Sequence, residues 1–327
     1  MWAQQLVAPR RLQPVDIPMP AVGHLVPGQV LVRMLAGGIC GSDLPHFRGL
    51  FTTAGPLASE AAATRPAGFP MHEICGEVSA SKDPAFAAGQ YVVGWAPRSD
   101  AMAAYVVTDA EQIAACSRDL PPSSAVILQP LACVLYAMKH VPAVSGRHIA
   151  VIGQGSIGLL FSHVAKAMGA RRVTGVDPVD RSAVASGFGV DDMTPAASGV
   201  WAGGLDTADR PDVVIEAVGH QAATLHDAVN AVRAEGFVYY FGVPEDVAYP
   251  FPLSTFFRKN ARFAGGFTAD KDRRPSLQRA DEYLAKHEEL KDIYITDRFG
   301  FKDAQTAFDL AVRPSKGRLK IIFETES

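Results

Sequence analysis

The chain has 327 residues, of which 48% are hydrophobic and 20% charged, and a net charge of -3. That length suits about two domains, and the composition excludes a largely disordered chain, a collagen-like repeat and a small disulfide scaffold. Near-neutrality removes any global electrostatic reason to hold nucleic acid or an acidic membrane surface.

The first third reads as short strands and turns. Gln29 to Leu35 alternates, with Val30, Val32 and Met34 on one face, the period of a half-buried strand. Glu73 to Val78, Gln90 to Val93 and Ala104 to Val107 are further strands, punctuated by Pro27-Gly28, Gly37-Gly38, Pro84 and Gly89. Leu50 to Phe69 is rich in Ala, Thr and Gly without periodicity and reads as a surface loop. After Pro121-Pro122 strands and helices alternate: strand His148 to Ile152, helix Ser156 to Met168 stopped by Gly169, strand Arg172 to Val176, strand Asp212 to Ala217, helix Ala222 to Arg233 and strand Phe237 to Phe241. Such alternation predicts a doubly wound parallel sheet. Helices near Ser276 to His287 and Lys302 to Val312, then a strand Leu319 to Phe323, complete the chain.

Gly153, Gly155 and Gly158 form a GxGxxG pattern between an apolar strand and a helix, with Asp177 24 residues after Gly153 at the end of the next strand. In that setting the pattern predicts a dinucleotide site. Gly153 permits a tight turn, Gly155 lets backbone approach a pyrophosphate, and Gly158 lets helix and strand pack closely. The helix start at Ser156 and Ile157 turns free N–H groups toward the phosphates. The Asp177 carboxylate suits a ribose diol and repels a 2′-phosphate, which favours NAD over NADP. Arg181, four residues on, either lies along the adenosine or accommodates that phosphate.

The four cysteines, Cys40, Cys75, Cys116 and Cys133, are scattered and form no CxxC pair, which fits a reducing compartment. The first five residues lack the basic and apolar regions of a secretory leader, and no apolar run approaches ~20 residues. A cytoplasmic protein without a membrane partner is expected. Cys40, His72 and Glu73 have the chemistry of a zinc site. Taken singly, each better suits a structural role, Cys40 as a small buried hydrophobe and His72-Glu73 as a surface or capping pair.

Taken together, Cys40-Gly41-Ser42-Asp43, then His72-Glu73 with Gly76-Glu77-Val78 about 30 residues later, then Gln129-Pro130-Leu131-Ala132-Cys133 and the glycine-rich turn resemble the medium-chain dehydrogenase/reductase family, in its zinc-dependent alcohol and polyol dehydrogenase branch. Glu216 to Gly219, Gly265 to Phe267, Ile295 to Asp297 and Leu319 to Phe323 extend the likeness over nearly the whole chain. The resemblance implies an α/β fold: a β-rich GroES-like catalytic domain at 1–128, a Rossmann doubly wound domain at 129–267, and a segment 268–327 returning to the first. It implies one catalytic zinc held by Cys40, His72 and either Glu73 or Gln129, where many members carry Glu in place of Gln129. It further implies Ser42 as proton relay, Asp43 steadying His72, and Val218 and Gly242 beside the cofactor. His46 stands one residue later than the family's outer relay histidine. Trp95 to Asp100 carries no cysteine where some members hold a structural zinc.

The activity implied is hydride transfer between a secondary alcohol, sugar- or cyclitol-like, and NAD, with the zinc acting as Lewis acid. Phe47, Phe51, Trp95 and Tyr136 are candidates either for the cleft or for the core, and the Leu50 to Phe69 loop is a candidate cap. Ala261 to Gly266 is the expected pairing edge of a homodimer or homotetramer. A zinc-free NADPH-dependent enone or quinone reductase, and a non-catalytic dinucleotide-binding protein, are the competing readings.

Overall fold

The structure is a computed structural model that describes residues 1–50 and 65–325. Two sheets organise it. In the first, Gln29–Gly38, Glu73–Ser81, Tyr91–Trp95 and Ile113–Ala115 lie side by side and antiparallel, and Tyr105–Asp109 pairs on Gln29–Gly38. The strand read over Gln29 to Leu35 continues to Gly38, paired with Glu73–Ser81 across two register shifts, and its last three residues are all buried. Lys320–Glu324 closes the other flank with Ile322 opposite Gly38, and Ile295–Gly300 adds a parallel strand outside it. The chain end therefore returns to the first sheet.

The second sheet has six parallel strands, in the order Asp192–Thr194, Arg172–Val176, His148–Ile152, Val213–Glu216, Phe237–Tyr240 and Arg262–Gly265. Strand order reverses between His148–Ile152 and Val213–Glu216, which opens a crevice at the carboxyl ends of the strands. The central strands His148–Ile152 and Val213–Glu216 are buried along their whole length because both faces are covered. Ile149, Val151, Val213 and Ile215 pack with helices Leu128–Met138, Ser156–Ala167 and Asp270–Leu284. Ala150, Ile152 and Val214 pack on the opposite side with Trp201 and the helix Ala222–Ala231. A separate cluster, with Phe47, Phe69, Met71, Phe308 and Phe323 fully buried, fills the β-rich part. The α/β fold class expected from the sequence is the one observed.

Several elements differ from expectation. An N-terminal hairpin, Trp2–Ala8 with Arg11–Asp16, was not anticipated. The helix Leu128–Met138 was not anticipated either, because Pro130 reads as a breaker although it stands in the first turn. The helix expected to start at Ser276 starts at Asp270. Asp270 and Asp272 stabilise its first turn, and Pro275 is accommodated within it. Residues 51–64 of the expected surface loop, and with them Phe51, lie outside the described residues.

Candidate active site

Cys40 and His72 are brought together by strand register. Gly38 pairs with Glu73 in the antiparallel ladder, so the residues just past Gly38 and just before Glu73 flank the same strand ends. One ligand atom each from Cys40, His72 and Glu73 lies within 4.8 Å of the other two. Asp43, buried in the first turn of the helix Asp43–Arg48, braces the cluster from behind. Its Oδ1 is 2.7 Å from His72 Nδ1, and its Oδ2 accepts from the Cys40 backbone N–H at 2.8 Å. Nδ1 is thereby engaged, and Nε2 remains for a metal or substrate. Burial disfavours a charged His72, yet Asp43 and the Cys40 thiol together hold its pKa well above the usual value.

Glu73 is fully buried, and Lys320, from the returning strand, donates to its Oε1 at 2.6 Å. Lys320 also donates to the Ile39 carbonyl at 2.9 Å. Glu73 Oε2 is buried and has no hydrogen-bond partner among the described residues. Gly38 has to be glycine at this point, since a Cβ there would stand 2.2 Å from Glu73 Oε2 and 2.8 Å from Lys320 Cε. Sequence reasoning missed Lys320. The available signal was a single cation inside the apolar run Lys320-Ile321-Ile322-Phe323, which a buried strand tolerates only when the charge is paired.

Gln129, in the first turn of Leu128–Met138, is buried on the cleft wall. The amide orientation that satisfies both of its ends accepts from Trp95 Nε1 and donates to Glu73 Oε1 at 3.3 Å. Burial, with Cys40 nearby, pushes the Cys133 thiol up to about 12, so this neighbour stays neutral. Ser42 also lines the cleft, at the N-cap of Asp43–Arg48, and its side chain makes no cap bond. Of the aromatic candidates, Trp95 lines the cleft, Phe47 is core, and Tyr136 packs its ring edge on His140. His46 sets its ring edge-on to Phe69, with centroids 5.2 Å apart, and its buried Nδ1 has no hydrogen-bond partner among the described residues.

The cleft, about 1130 Å³, runs from Cys40 and His72 to the glycine-rich turn and on to Asp177. That volume exceeds an ordinary small-molecule pocket and has room for a dinucleotide beside a substrate. Gly153 has φ +88°, and a Cβ on Gly158 would fall 1.7 Å from the Gly153 carbonyl oxygen. At Gly155 a Cβ would meet nothing within 4 Å, so backbone faces open cleft there, and Ser156 and Ile157 begin the helix behind it. Val218, beside Gly153, and Gly242 also line the cleft. Asp177 Oδ2 accepts from the Gln154 N–H at 2.7 Å, and Oδ1 accepts from the Val179 N–H at 2.8 Å. The Arg181 guanidinium is committed to the carbonyls of Ser315, Lys316 and Arg318, the last at 2.7 Å. Sequence reasoning missed His220, Phe267, Thr268 and Arg273, which also line the cleft; they come from loops and a helix start without motif character.

The residues present fit both implied groups: a thiol, an imidazole and a carboxylate converge around an unpartnered buried oxygen, and a glycine cradle opens at a helix N-terminus. Among the described residues no helix is long and apolar enough to cross a membrane.

Comparison with known proteins agrees. The family model described as alcohol dehydrogenase GroES-like domain matches residues 26–121, and the one described as zinc-binding dehydrogenase matches residues 156–282. An L-threonine 3-dehydrogenase of Pyrococcus horikoshii is 28% identical over 70% of this chain and 71% of its own length. An L-idonate 5-dehydrogenase of Vitis vinifera is 25% identical over 96% of this chain and 91% of its own. An alcohol dehydrogenase from Thermus sp. ATN1 superimposes with a TM-score of 0.79 over the full length of both chains, at 23% identity. The two matched domains in this order, on this fold and with these residues converging, place the chain in the zinc-type alcohol and polyol dehydrogenase branch of the medium-chain dehydrogenase/reductase family.

Proposed function

We propose that the protein is an NAD-dependent, zinc-requiring dehydrogenase interconverting a secondary alcohol or polyol and its carbonyl. The observation that carries this reading is the convergence of Cys40 and His72 at the wall of the same cleft that holds the glycine-rich turn, with the buried Glu73 carboxylate beside them. Relatives named for threonine, idonate and sorbitol oxidation support an alcohol substrate with neighbouring polar groups.

Cys40, His72 and Glu73 would hold the metal, and Gly153, Gly155, Ser156, Ile157, Gly158, Val218 and Gly242 would hold the dinucleotide. When bound, these groups supply Lewis acidity toward the substrate oxygen and hydride acceptance by the nicotinamide. Asp43 orients His72. Gln129 and Lys320 both engage Glu73 Oε1, so Oε2 would be the oxygen left to bind an ion. Ser42 accepts the substrate hydroxyl proton and passes it outward. Trp95 and the two-domain wall exclude water from the reacting atoms. Asp177 receives the adenosine ribose diol. Arg181 gives its Nη1 to three backbone carbonyls, and the Asp177 carboxylate would repel a 2′-phosphate, which supports NAD over NADP.

We assign residues 1–128 to the catalytic domain, 129–267 to the dinucleotide domain and 268–327 to the returning segment. Arg262–Gly265 is the outer strand of the parallel sheet. Exposed Val247, Leu253, Phe257 and Phe267 near it support pairing of this edge with a second copy in a dimer or tetramer.

The test is turnover of a polyol and amino-alcohol panel with NAD, alongside metal analysis. Cys40→Ala is expected to abolish turnover and leave NAD affinity nearly unchanged. Surviving turnover, or activity confined to NADPH and an enone, overturns the assignment.

A further inference from the structure

A second trio of metal-type donors meets outside the cleft. His163 lies on the helix Ser156–Ala167, and His287 and Glu289 follow the helix Asp270–Leu284. One ligand atom from each lies within 4.8 Å of the other two. His163 Nε2 is 3.2 Å from Glu289 Oε1, and His287 Nδ1 is 3.3 Å from the same oxygen. The two imidazoles stand edge to face, with centroids 5.1 Å apart. The remaining ring nitrogen of His163 is taken by Tyr283 Oη at 2.8 Å. An imidazole fixed through one nitrogen while the other faces a carboxylate and a second imidazole is how metal-binding histidines are usually held. His287 and Glu289 are partly exposed, which gives an ion a way in and leaves positions for water.

We propose that His163, His287 and Glu289 form a second site, for one borderline divalent ion of the zinc, cobalt or nickel class, which clamps the helix behind the glycine-rich turn to the segment after Asp270–Leu284. Two imidazoles and one carboxylate suit such ions and not calcium or magnesium, which demand oxygen ligands. The expectation of a single zinc rested on the missing cysteine lobe near Trp95 to Asp100, and this trio shares no residue with that lobe. It shares none with the Cys40 cluster either, so the two can fail separately.

The experiment is cobalt titration of chelator-treated full-length protein. The expected result is two ions per chain. One shows a thiolate-to-cobalt charge-transfer band from Cys40, and the other shows visible d–d bands alone. His287→Gln and Glu289→Gln are each expected to remove the second ion and keep the charge-transfer band, whereas Cys40→Ser removes that band and keeps the second ion. An ion that binds N and not U raises the unfolding midpoint. Zinc is therefore expected to raise the midpoint of Cys40→Ser and not that of Cys40→Ser/His287→Gln. Equal ion counts in the wild type and both trio variants, or equal zinc shifts in the single and double variants, overturn the proposal. Absence of the charge-transfer band from the wild type, with the second ion present, counts against the Cys40 assignment alone.

Discussion

The Asp43 carboxylate ties the two halves of the cluster together: one oxygen is 2.7 Å from His72 Nδ1, and the other accepts from the Cys40 backbone N–H at 2.8 Å. One buried carboxylate thus sets both the imidazole ring and the turn that presents the thiol. Asp43→Asn keeps the shape but removes the charge that supports His72. Metal affinity is expected to fall by about 10–100-fold, with kcat/KM following it, while NAD affinity stays the same. Metal retention during dialysis against graded chelator checks this; unchanged retention would mean that Asp43 serves only to hold the Cys40 turn.

The Glu73–Lys320 pair allows a stability prediction. Both groups are almost wholly out of solvent, at 0% and 1% side-chain exposure. Lys320→Met leaves a buried carboxylate whose remaining side-chain support, among the described residues, is Gln129. The expected loss is about 3–5 kcal/mol of folding stability, the usual result of orphaning one member of a buried pair. Adding Glu73→Gln to Lys320→Met should recover much of it. Urea unfolding of the two variants decides the matter: a double variant no more stable than Lys320→Met would show that the charge imbalance is not the cause.

What could be read in the sequence follows a physical divide. The turn from Gly153 to Gly158 and the Asp177 carboxylate belong to one local strand–turn–helix unit, so their spacing in the chain already encodes their spacing in space. Cys40 and His72 meet only through the pairing of Gly38 with Glu73. Without the family resemblance, residue types alone left them as a buried thiol and a surface pair. Lys320 is harder still, arriving beside Glu73 from the far end of the chain. The His163, His287 and Glu289 trio has no motif at all, since a helix face and a loop supply it. Arg181 was ambiguous because its carbonyl partners at 315–318 depend on how the returning segment folds.

Asp177 has a double duty, and its variants should show both parts. Its carboxylate holds the Gln154 N–H inside the glycine-rich turn at 2.7 Å, and it lines the end of the cleft that the proposed function gives to the adenosine ribose. Asp177→Ala is expected to weaken NAD binding at least about tenfold, a loss typical of removing one charged hydrogen-bond acceptor. NADP binding should weaken less, so the NAD/NADP preference narrows. With Arg181 bound to three carbonyls, full inversion is not expected. Fluorescence titration with both reduced cofactors tests this; equal weakening of the two would assign Asp177 to the turn alone.

Glu216 offers a test by pH. It is buried at the end of Val213–Glu216, and its Oε1 accepts from the Val218 and Gly219 N–H groups at 3.2 and 3.0 Å and from Thr224 Oγ1 at 2.7 Å. Burial raises its pKa above the usual 4.5, and these donors offset only part of the rise. Between 4.5 and the raised value, the folded chain therefore binds more protons than the unfolded chain. Stability drawn from this group is fully present below that window and is lost as pH climbs through it. Glu216→Gln carries no such titration. Its amide loses one acceptor oxygen near Gly242, which adds a constant penalty at every pH. The stability difference between variant and wild type should thus shift in the variant's favour on going from about pH 4 to about pH 7. Urea unfolding of both proteins at the two pH values measures it. A difference that stays flat, or moves the other way, would mean that Glu216 is ionised at no net cost in its cage of N–H groups.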